Sequence, residues 1–242
     1  MEAIKTSGLV KRYKDKTAVN GLDLTVHKGE LYALLGVNGA GKSTTIKMLS
    51  CLTRPTSGDA EIMGHSIVTQ ADAVKAVINV SPQETAVAAK LSVRENLEFI
   101  ARIYGADKAN ARKKADRMIE QLSMEDIVGS KAAALSGGWQ RRLSIAMALI
   151  TDPQVLFLDE PTLGLDVLAR RELWSLIEKL KGKMTVILTT HYLEEAESLS
   201  DRIGIMARGV LKAEGTAAEL KAKAGTNDFE EAFISIAEEV KA

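Results

Sequence analysis

One short segment constrains this chain more than any other. Gly36-Val37-Asn38-Gly39-Ala40-Gly41-Lys42-Ser43-Thr44 fits the spacing G-x-x-x-x-G-K-[ST]. It follows an almost continuous apolar run, Leu31 to Leu35, and leads into a helical stretch, Ser43 to Leu52. An unbroken apolar run of this kind reads as a central strand buried on both faces. Glycines let the backbone curl so that successive N–H groups face inward and bind phosphate oxygens. The helix that follows aims its positive N-terminal end at the same place. Lys42 supplies a cation for the β- and γ-phosphates, and the Ser43 hydroxyl is a hard oxygen ligand for Mg²⁺. A chance glycine turn is the competing reading, and the correct strand and helix on both flanks argue against it.

A second apolar strand, Val155 to Leu158, ends in two acids, Asp159 and Glu160. Ligands of open α/β sheets sit at the carboxyl ends of the strands, so both acids can face a bound nucleotide. Asp159 is placed to hold Mg²⁺, directly or through water. Glu160 is the candidate to orient or deprotonate an attacking water.

Around these two motifs the chain alternates strand and helix. Strands are expected over Leu22 to Val26, Asp59 to Met63, Val77 to Val80, Thr185 to Thr190, Ile203 to Met206 and Val210 to Glu214. Turns fall at Lys28-Gly29-Glu30 and Arg208-Gly209. Helices are expected over Val167 to Lys181, with Leu173, Leu176, Ile177 and Leu180 on one face, and over Tyr192 to Ser198. From Val93 to Thr151 nearly everything reads as helix. Leu97, Ile100, Ala101 and Tyr104 form one apolar face there, Asn110 to Leu122 is amphipathic, and Ala146 to Ile150 ends a buried helix. The alternation implies an α/β layer with a mostly parallel sheet, interrupted by a helical insertion. Near the end of the chain, Phe229, Ala232, Phe233, Ile236 and Val240 share a face if residues 229 to 241 are helical. Such a helix either packs on its own core or docks a second subunit.

Composition narrows the partners. Lys plus Arg is 32 and Asp plus Glu is 32, so the formal net charge is zero. A general nucleic-acid binder normally carries a basic excess, and no nucleic-acid partner is expected. Cys51 is the lone cysteine, so no intrachain disulfide can form, and it reads as a small buried hydrophobe. The N-terminal stretch is too polar for a signal peptide, and no apolar run approaches the ~20 residues needed to cross a bilayer. His27 and His65 fit no motif and read as surface histidines.

A phosphate loop alone fits a kinase, a GTPase or a helicase. The guanine-reading pattern N-K-x-D is absent: its nearest match, Asn20-Gly21-Leu22-Asp23, lacks the lysine. The deciding segment is Leu135-Ser136-Gly137-Gly138, followed by Trp139-Gln140-Arg141-Arg142-Leu143. It resembles the signature motif of the ATP-binding-cassette (ABC) ATPases. Further matches lie in that family's order. Tyr13 matches the aromatic that stacks on adenine, and Gln83 matches the glutamine loop. Gly164-Leu165-Asp166 resembles the loop after the carboxylates, and His191 matches the switch histidine. Trp139 departs from the pattern, because many members carry Gln at that position.

The resemblance implies a P-loop NTPase cassette: a RecA-like α/β core with a small antiparallel β subdomain and an inserted α-helical subdomain. Core and β subdomain would take residues 1–82 and 152–215, the helical signature subdomain 83–151, and a C-terminal helical segment 216–242. It implies an Mg²⁺-dependent ATPase. Gly36, Asn38, Gly39, Ala40, Gly41, Lys42, Ser43, Thr44 and Tyr13 would bind ATP, while Ser43, Gln83 and Asp159 would serve the metal. Glu160, His191 and Gln83 would carry hydrolysis. Ser136, Gly137, Gly138 and Asp166 would act across a head-to-tail dimer, with the helix beginning near Gly138 aimed at the γ-phosphate. A separate transmembrane permease is the other implied partner, with the protein peripheral on the cytoplasmic side of the membrane, as in small bacterial exporters. Its groove is expected near Gln83 to Leu97. An ABC ATPase acting on DNA or the ribosome is the first competitor, and such proteins usually carry paired cassettes, coiled-coil insertions or basic extensions. A small-molecule phosphotransferase is the second, and it has no use for Leu-Ser-Gly-Gly.

Overall fold

The computed structural model describes residues 1–238. Along the chain come β1 (Glu2–Tyr13), β2 (Lys16–Leu22), β3 (Thr25–His27), β4 (Leu31–Leu35), α1 (Lys42–Leu49), β5 (Ser57–Ile62), β6 (His65–Ser66), α2 (Ala71–Val77) and β7 (Ile78–Ser81). Three helices follow: α3 (Val93–Ile103), α4 (Lys108–Gln121) and α5 (Gly137–Leu149). The rest is β8 (Val155–Asp159), α6 (Val167–Glu178), β9 (Thr185–Thr190), α7 (Leu193–Leu199), β10 (Arg202–Ala207), β11 (Val210–Gly215), α8 (Ala217–Ala224) and α9 (Phe229–Glu238).

The main sheet has the order β11-β10-β4-β9-β8-β7, with β10 through β7 parallel and β11 an antiparallel edge. Every residue of β4, β8 and β9 is buried, as strands covered on both faces require. A second sheet, β2-β1-β5-β6 with β3 also on β1, is antiparallel. Tyr32, Leu34, Phe157, Ile4 and Leu9 belong to the core shared by the two sheets. The opposite face of the main sheet packs on the helical block through Leu156, Leu158, Leu97, Leu143 and Leu173.

Several expected elements differ in detail. The strand over Leu22 to Val26 is split, because β2 ends at Leu22 and β3 starts at Thr25. Thr6 holds the break: its N–H donates to the Leu24 carbonyl at 2.9 Å and its hydroxyl to the Leu22 carbonyl at 2.7 Å. Tyr104 is not on the buried face of α3; it caps the C-terminus and is exposed, while Leu97 and Ala101 are buried. Leu180 lies beyond the end of α6 and is half-buried. Helix α5 begins at Gly137, one residue earlier than expected. His65 is half-buried rather than on the surface, and Cys51 is half-buried, its thiol raised by burial. Strand β1 and helix α2 were not anticipated, while α8 falls inside the segment 216–242 expected to be helical. Helix α8 carries a readable signal, a capping box between Thr216 and Glu219 with Gly225 as the left-handed stop.

Helix α9 packs on its own chain. Phe229, Ala232 and Ile236 are buried and Phe233 is half-buried, against a cluster that includes Ile203, Ile205 and Leu220. Val240 and the last residues of the expected helix lie outside the described residues.

Glu195 on α7 is fully buried and joins three elements. Its Oε1 accepts from the Thr162 hydroxyl at 2.8 Å and from Trp174 Nε1 at 2.9 Å. Burial raises its pKa, so its stabilising contribution is full below the ordinary carboxylate range and is lost as pH rises through the raised value. Glu195→Gln should therefore flatten the dependence of melting temperature on pH above the ordinary carboxylate range. Glu195→Ala should cost about 1–3 kcal/mol in urea unfolding, by leaving the Thr162 and Trp174 donors unpaired.

Candidate active site

The parallel register delivers the predicted groups to one edge. Leu35 lies level with Thr190, Asp159 with Thr189, and Ser81 with Leu158. The phosphate loop after β4, His191 after β9, the carboxylates at the end of β8 and Gln83 after β7 therefore emerge side by side. Asn38 through Thr44 line a cleft of about 380 Å³ together with Gln83, Glu160 and His191. Lys16, Ala18 and Leu163 complete its wall. Lys16 and Ala18, on β2, had no sequence signal marking them.

Two glycines of the loop are required by space and backbone angle. A Cβ at Gly36 would lie 2.4 Å from the Met206 carbonyl oxygen. Gly41 has φ +110°, and a Cβ there would lie 2.5 Å from the Ala18 carbonyl oxygen. Lys42, the first residue of α1, turns back across the loop. Its Nζ donates to the Gly36 carbonyl at 2.7 Å and sits 3.2 Å from Glu160 Oε1. Glu160 Oε2 is 2.5 Å from His191 Nδ1. Glu160 itself is left-handed at φ +50°, an uncommon conformation for a non-glycine residue. Its N–H is fixed by both the carbonyl and the hydroxyl of Thr189, each at 3.1 Å.

Asp159 accepts from the Ser43 hydroxyl at 3.1 Å and from the Thr189 hydroxyl at 2.5 Å. Thr189 thus orients both acids, and nothing in its local sequence marks it for that task. Ser43, Asp159 and Gln83 offer hydroxyl, carboxylate and carboxamide oxygens, the donor types Mg²⁺ takes alongside substrate phosphates. Among the described residues, no group of three or more His, Cys, Asp or Glu could hold a metal by itself. This donor set therefore fits a Mg²⁺ bound largely through phosphate oxygens.

The remaining predicted residues lie elsewhere. Ser136 is exposed and is the N-cap of α5, accepting from Trp139 N–H. Ser136 and Gly138 line a separate small pocket with Trp139, Arg142, Ala169, Glu172 and Leu173, which shares no residue with the phosphate cleft. A Cβ at Gly138 would lie 3.1 Å from Ala169 Cβ, so packing on α6 needs a small residue there. Asp166 caps α6, accepting from Leu168 and Ala169 N–H at 2.9 Å. Tyr13 ends β1 half-exposed, with Lys11 Nζ 5.0 Å from its ring centre, and is not among the residues lining the phosphate cleft.

Comparison with known proteins agrees with this geometry. The ABC transporter family matches residues 19–163. The chain belongs to that family. The daunorubicin resistance ATP-binding protein DrrA3 of Streptomyces coeruleorubidus is 46% identical over 224 residues, covering 92% of this chain and 71% of that protein. The doxorubicin resistance ATP-binding protein DrrA of Mycobacterium tuberculosis is 43% identical over 226 residues, covering 92% and 68%. Among solved structures, an ATP-binding subunit of an ABC transporter superposes with TM-score 0.85 at 28% identity, covering 97% of this chain and 99% of that one. A dimeric ATP-binding cassette in a post-hydrolysis state, bound to ADP and Pi, superposes with TM-score 0.79 at 26% identity, covering 88% and 98%. The chain is thus an ABC ATPase cassette, with the family's α/β core, antiparallel β layer and helical insertion.

The Lys42–Glu160 pair is nearly inaccessible to solvent, with side chains 5% and 6% exposed. Removing Lys42 takes the ammonium from a buried carboxylate whose other side-chain contact is His191. Lys42→Met should therefore lower unfolding stability by about 3 kcal/mol or more. The double variant Lys42→Met/Glu160→Gln should recover a large part of that loss. Urea denaturation of the four proteins, without nucleotide, closes this cycle.

Proposed function

We propose that this cassette is the ATP-hydrolysing subunit of an exporter, and that two copies close head to tail around two ATP molecules. The observation that carries the reading is the separation, within one chain, of Ser136-Gly137-Gly138 from the phosphate cleft. Both present phosphate-binding chemistry, a loop of N–H groups in one case and a capped helix N-terminus in the other. A second copy would bring the N-terminus of its α5 to the phosphate held here. Exposed Val167 and Leu168 beside Asp166 add apolar surface to such an interface. The dimeric cassette with ADP and Pi supports self-association of such a chain.

Each site residue then has a task. The N–H groups from Asn38 to Thr44 hold the α- and β-phosphates, and Tyr13 supplies a ring for the base. Lys42 leaves Glu160 for the phosphates, which compete for its charge. Glu160, freed from that pair, orients and deprotonates the attacking water. His191 contacts the γ-phosphate, and Gln83 contacts the water. Asp166 steadies the facing copy. Ser43, Gln83 and Asp159 would hold Mg²⁺, whose charge offsets that of the phosphates.

We infer that translocation falls to a separate permease; among the described residues, no helix is long and apolar enough to cross a membrane. The cassette would sit against it on the cytoplasmic side. The drug-resistance names of the relatives support export. Residues 1–82 and 152–215 would form the ATP-holding core, 83–151 the helical arm and 216–242 the C-terminal segment. The docking surface reaches beyond the expected stretch of Gln83 to Leu97. Val87 packs inward, and Asn96 binds the Ala88 backbone at both N–H and carbonyl. Phe99, Ile103 and Tyr104 are instead exposed along α3 and its C-cap, at 51%, 60% and 58%. They supply the apolar surface for the permease.

Glu160→Gln should lower ATP hydrolysis by roughly 10²–10⁴-fold and accumulate as an ATP-bound dimer on size-exclusion chromatography with ATP-Mg. Full activity in that variant would refute Glu160 as the base. Ser136→Arg should bind ATP as a monomer yet fail to dimerise, and normal hydrolysis by it would confine Leu135 to Gly138 to helix capping.

A further inference from the structure

Arg141 is the one buried arginine among the described residues, at 3% exposure, and no task above uses it. It lies on α5, whose N-terminus carries Ser136, Gly137 and Gly138. Its Nη1 donates to the Pro82 carbonyl at 2.5 Å. Its Nη2 donates to the Gln83 carbonyl at 2.6 Å and to the Glu160 carbonyl at 3.2 Å. All three acceptors are backbone carbonyls on two separate loops, one after β7 and one after β8. Burial works against the charge, and Asp159 and Glu195 support it at longer range.

A guanidinium keeps its charge in proteins, so a buried one is costly unless its donors are engaged. Its planar fork fixes the distance between the groups it binds, which a lysine ammonium cannot do. The Gln83 and Glu160 backbones are therefore held at a set separation by one side chain of the signature helix. Glu160 needs such support, because its φ of +50° is an uncommon backbone state. Along a rigid helix, the five steps from Ser136 to Arg141 span about 7.5 Å.

We propose that Arg141 is a positioning residue that couples the two ATP sites of the dimer. One end of α5 meets the triphosphate held by the partner, and Arg141 sets Gln83 and Glu160 in this chain's own site. A movement of α5 on closure would then carry the water-orienting groups of one site into place when the other site is occupied. This inference rests on the head-to-tail reading above.

The test uses Arg141→Lys and Arg141→Met in the full chain, each alone and combined with Glu160→Gln. Steady-state hydrolysis, melting temperature, ATP-dependent dimerisation and hydrogen exchange of the segment around Gln83 are measured. The expected result for Arg141→Lys is a kcat lower by roughly 10–100-fold, the scale of a small misplacement of reacting groups. Its KM should stay within about threefold and its melting temperature near the wild type. In the Glu160→Gln background it should still dimerise with ATP, but the ATP-induced protection around Gln83 should be lost. A folded Arg141→Lys or Arg141→Met with wild-type kcat would overturn the proposal. So would a parallel fall of melting temperature, dimer and kcat in both variants, which would mark Arg141 as a fold residue only. If Glu160→Gln alone forms no ATP-dependent dimer, the head-to-tail reading and this inference fall together. If it dimerises while the Arg141 variants keep kcat, only the inference falls.

Discussion

The ladder joining β4, β9, β8 and β7 is the constraint on which the site depends. Parallel strands all present their carboxyl ends on the same edge of the sheet. Here the register sets Leu35 beside Thr190 and Asp159 beside Thr189, so the phosphate loop, both acids and His191 begin at nearly one level. A slip of one residue would turn each buried side chain to the opposite face. The full burial of these strands makes that slip expensive, because Leu34, Leu158 and Leu188 would each leave the packing they fill.

On this frame the Asp159 carboxylate and the Glu160 backbone are both held by Thr189, which carries no charge. Thr189 supplies a hydroxyl to Asp159 and two acceptors to the Glu160 N–H. The Glu160 carboxylate then bridges Lys42 and His191. In so dry a setting charge pairs are strong and their partners matter. Under the proposed function a triphosphate would bring negative charge to the same lysine, so that binding substrate and releasing the carboxylate would be one exchange of partners.

Helix α5 is the second organising element. Its N-cap, Ser136, faces solvent, while Arg141 reaches the loops of the cleft. Trp139, the departure from the family's pattern, is half-buried under the Arg142 guanidinium at 4.3 Å, and Arg142 in turn meets Glu172 of α6 at 2.8 Å. The tryptophan therefore takes part in joining α5 to α6. Gln140 fastens the preceding turn through the Ala132 and Leu135 carbonyls.

The sequence by itself determined the parts made of local signals. The apolar runs of β4, β8 and β9, the glycine spacing before Lys42, and the Ser-Gly-Gly start of α5 were all legible, because each is a contiguous pattern with one physical meaning. The alternation of these runs with helices was enough for an α/β sheet carrying a helical insertion. Strand β1 was not legible, since its polar residues conceal an alternation that pairing with β2, β3 and β5 alone makes evident. Only the tertiary structure decided that Thr189 governs both acids, that Lys16 and Ala18 wall the cleft, and that Arg141 binds two loops at once. It also decided that the signature segment lines a pocket sharing no residue with the chain's own phosphate cleft. Those relations join residues tens of positions apart through backbone carbonyls and hydroxyls, groups whose role depends on position in space and leaves no mark in the order of the chain.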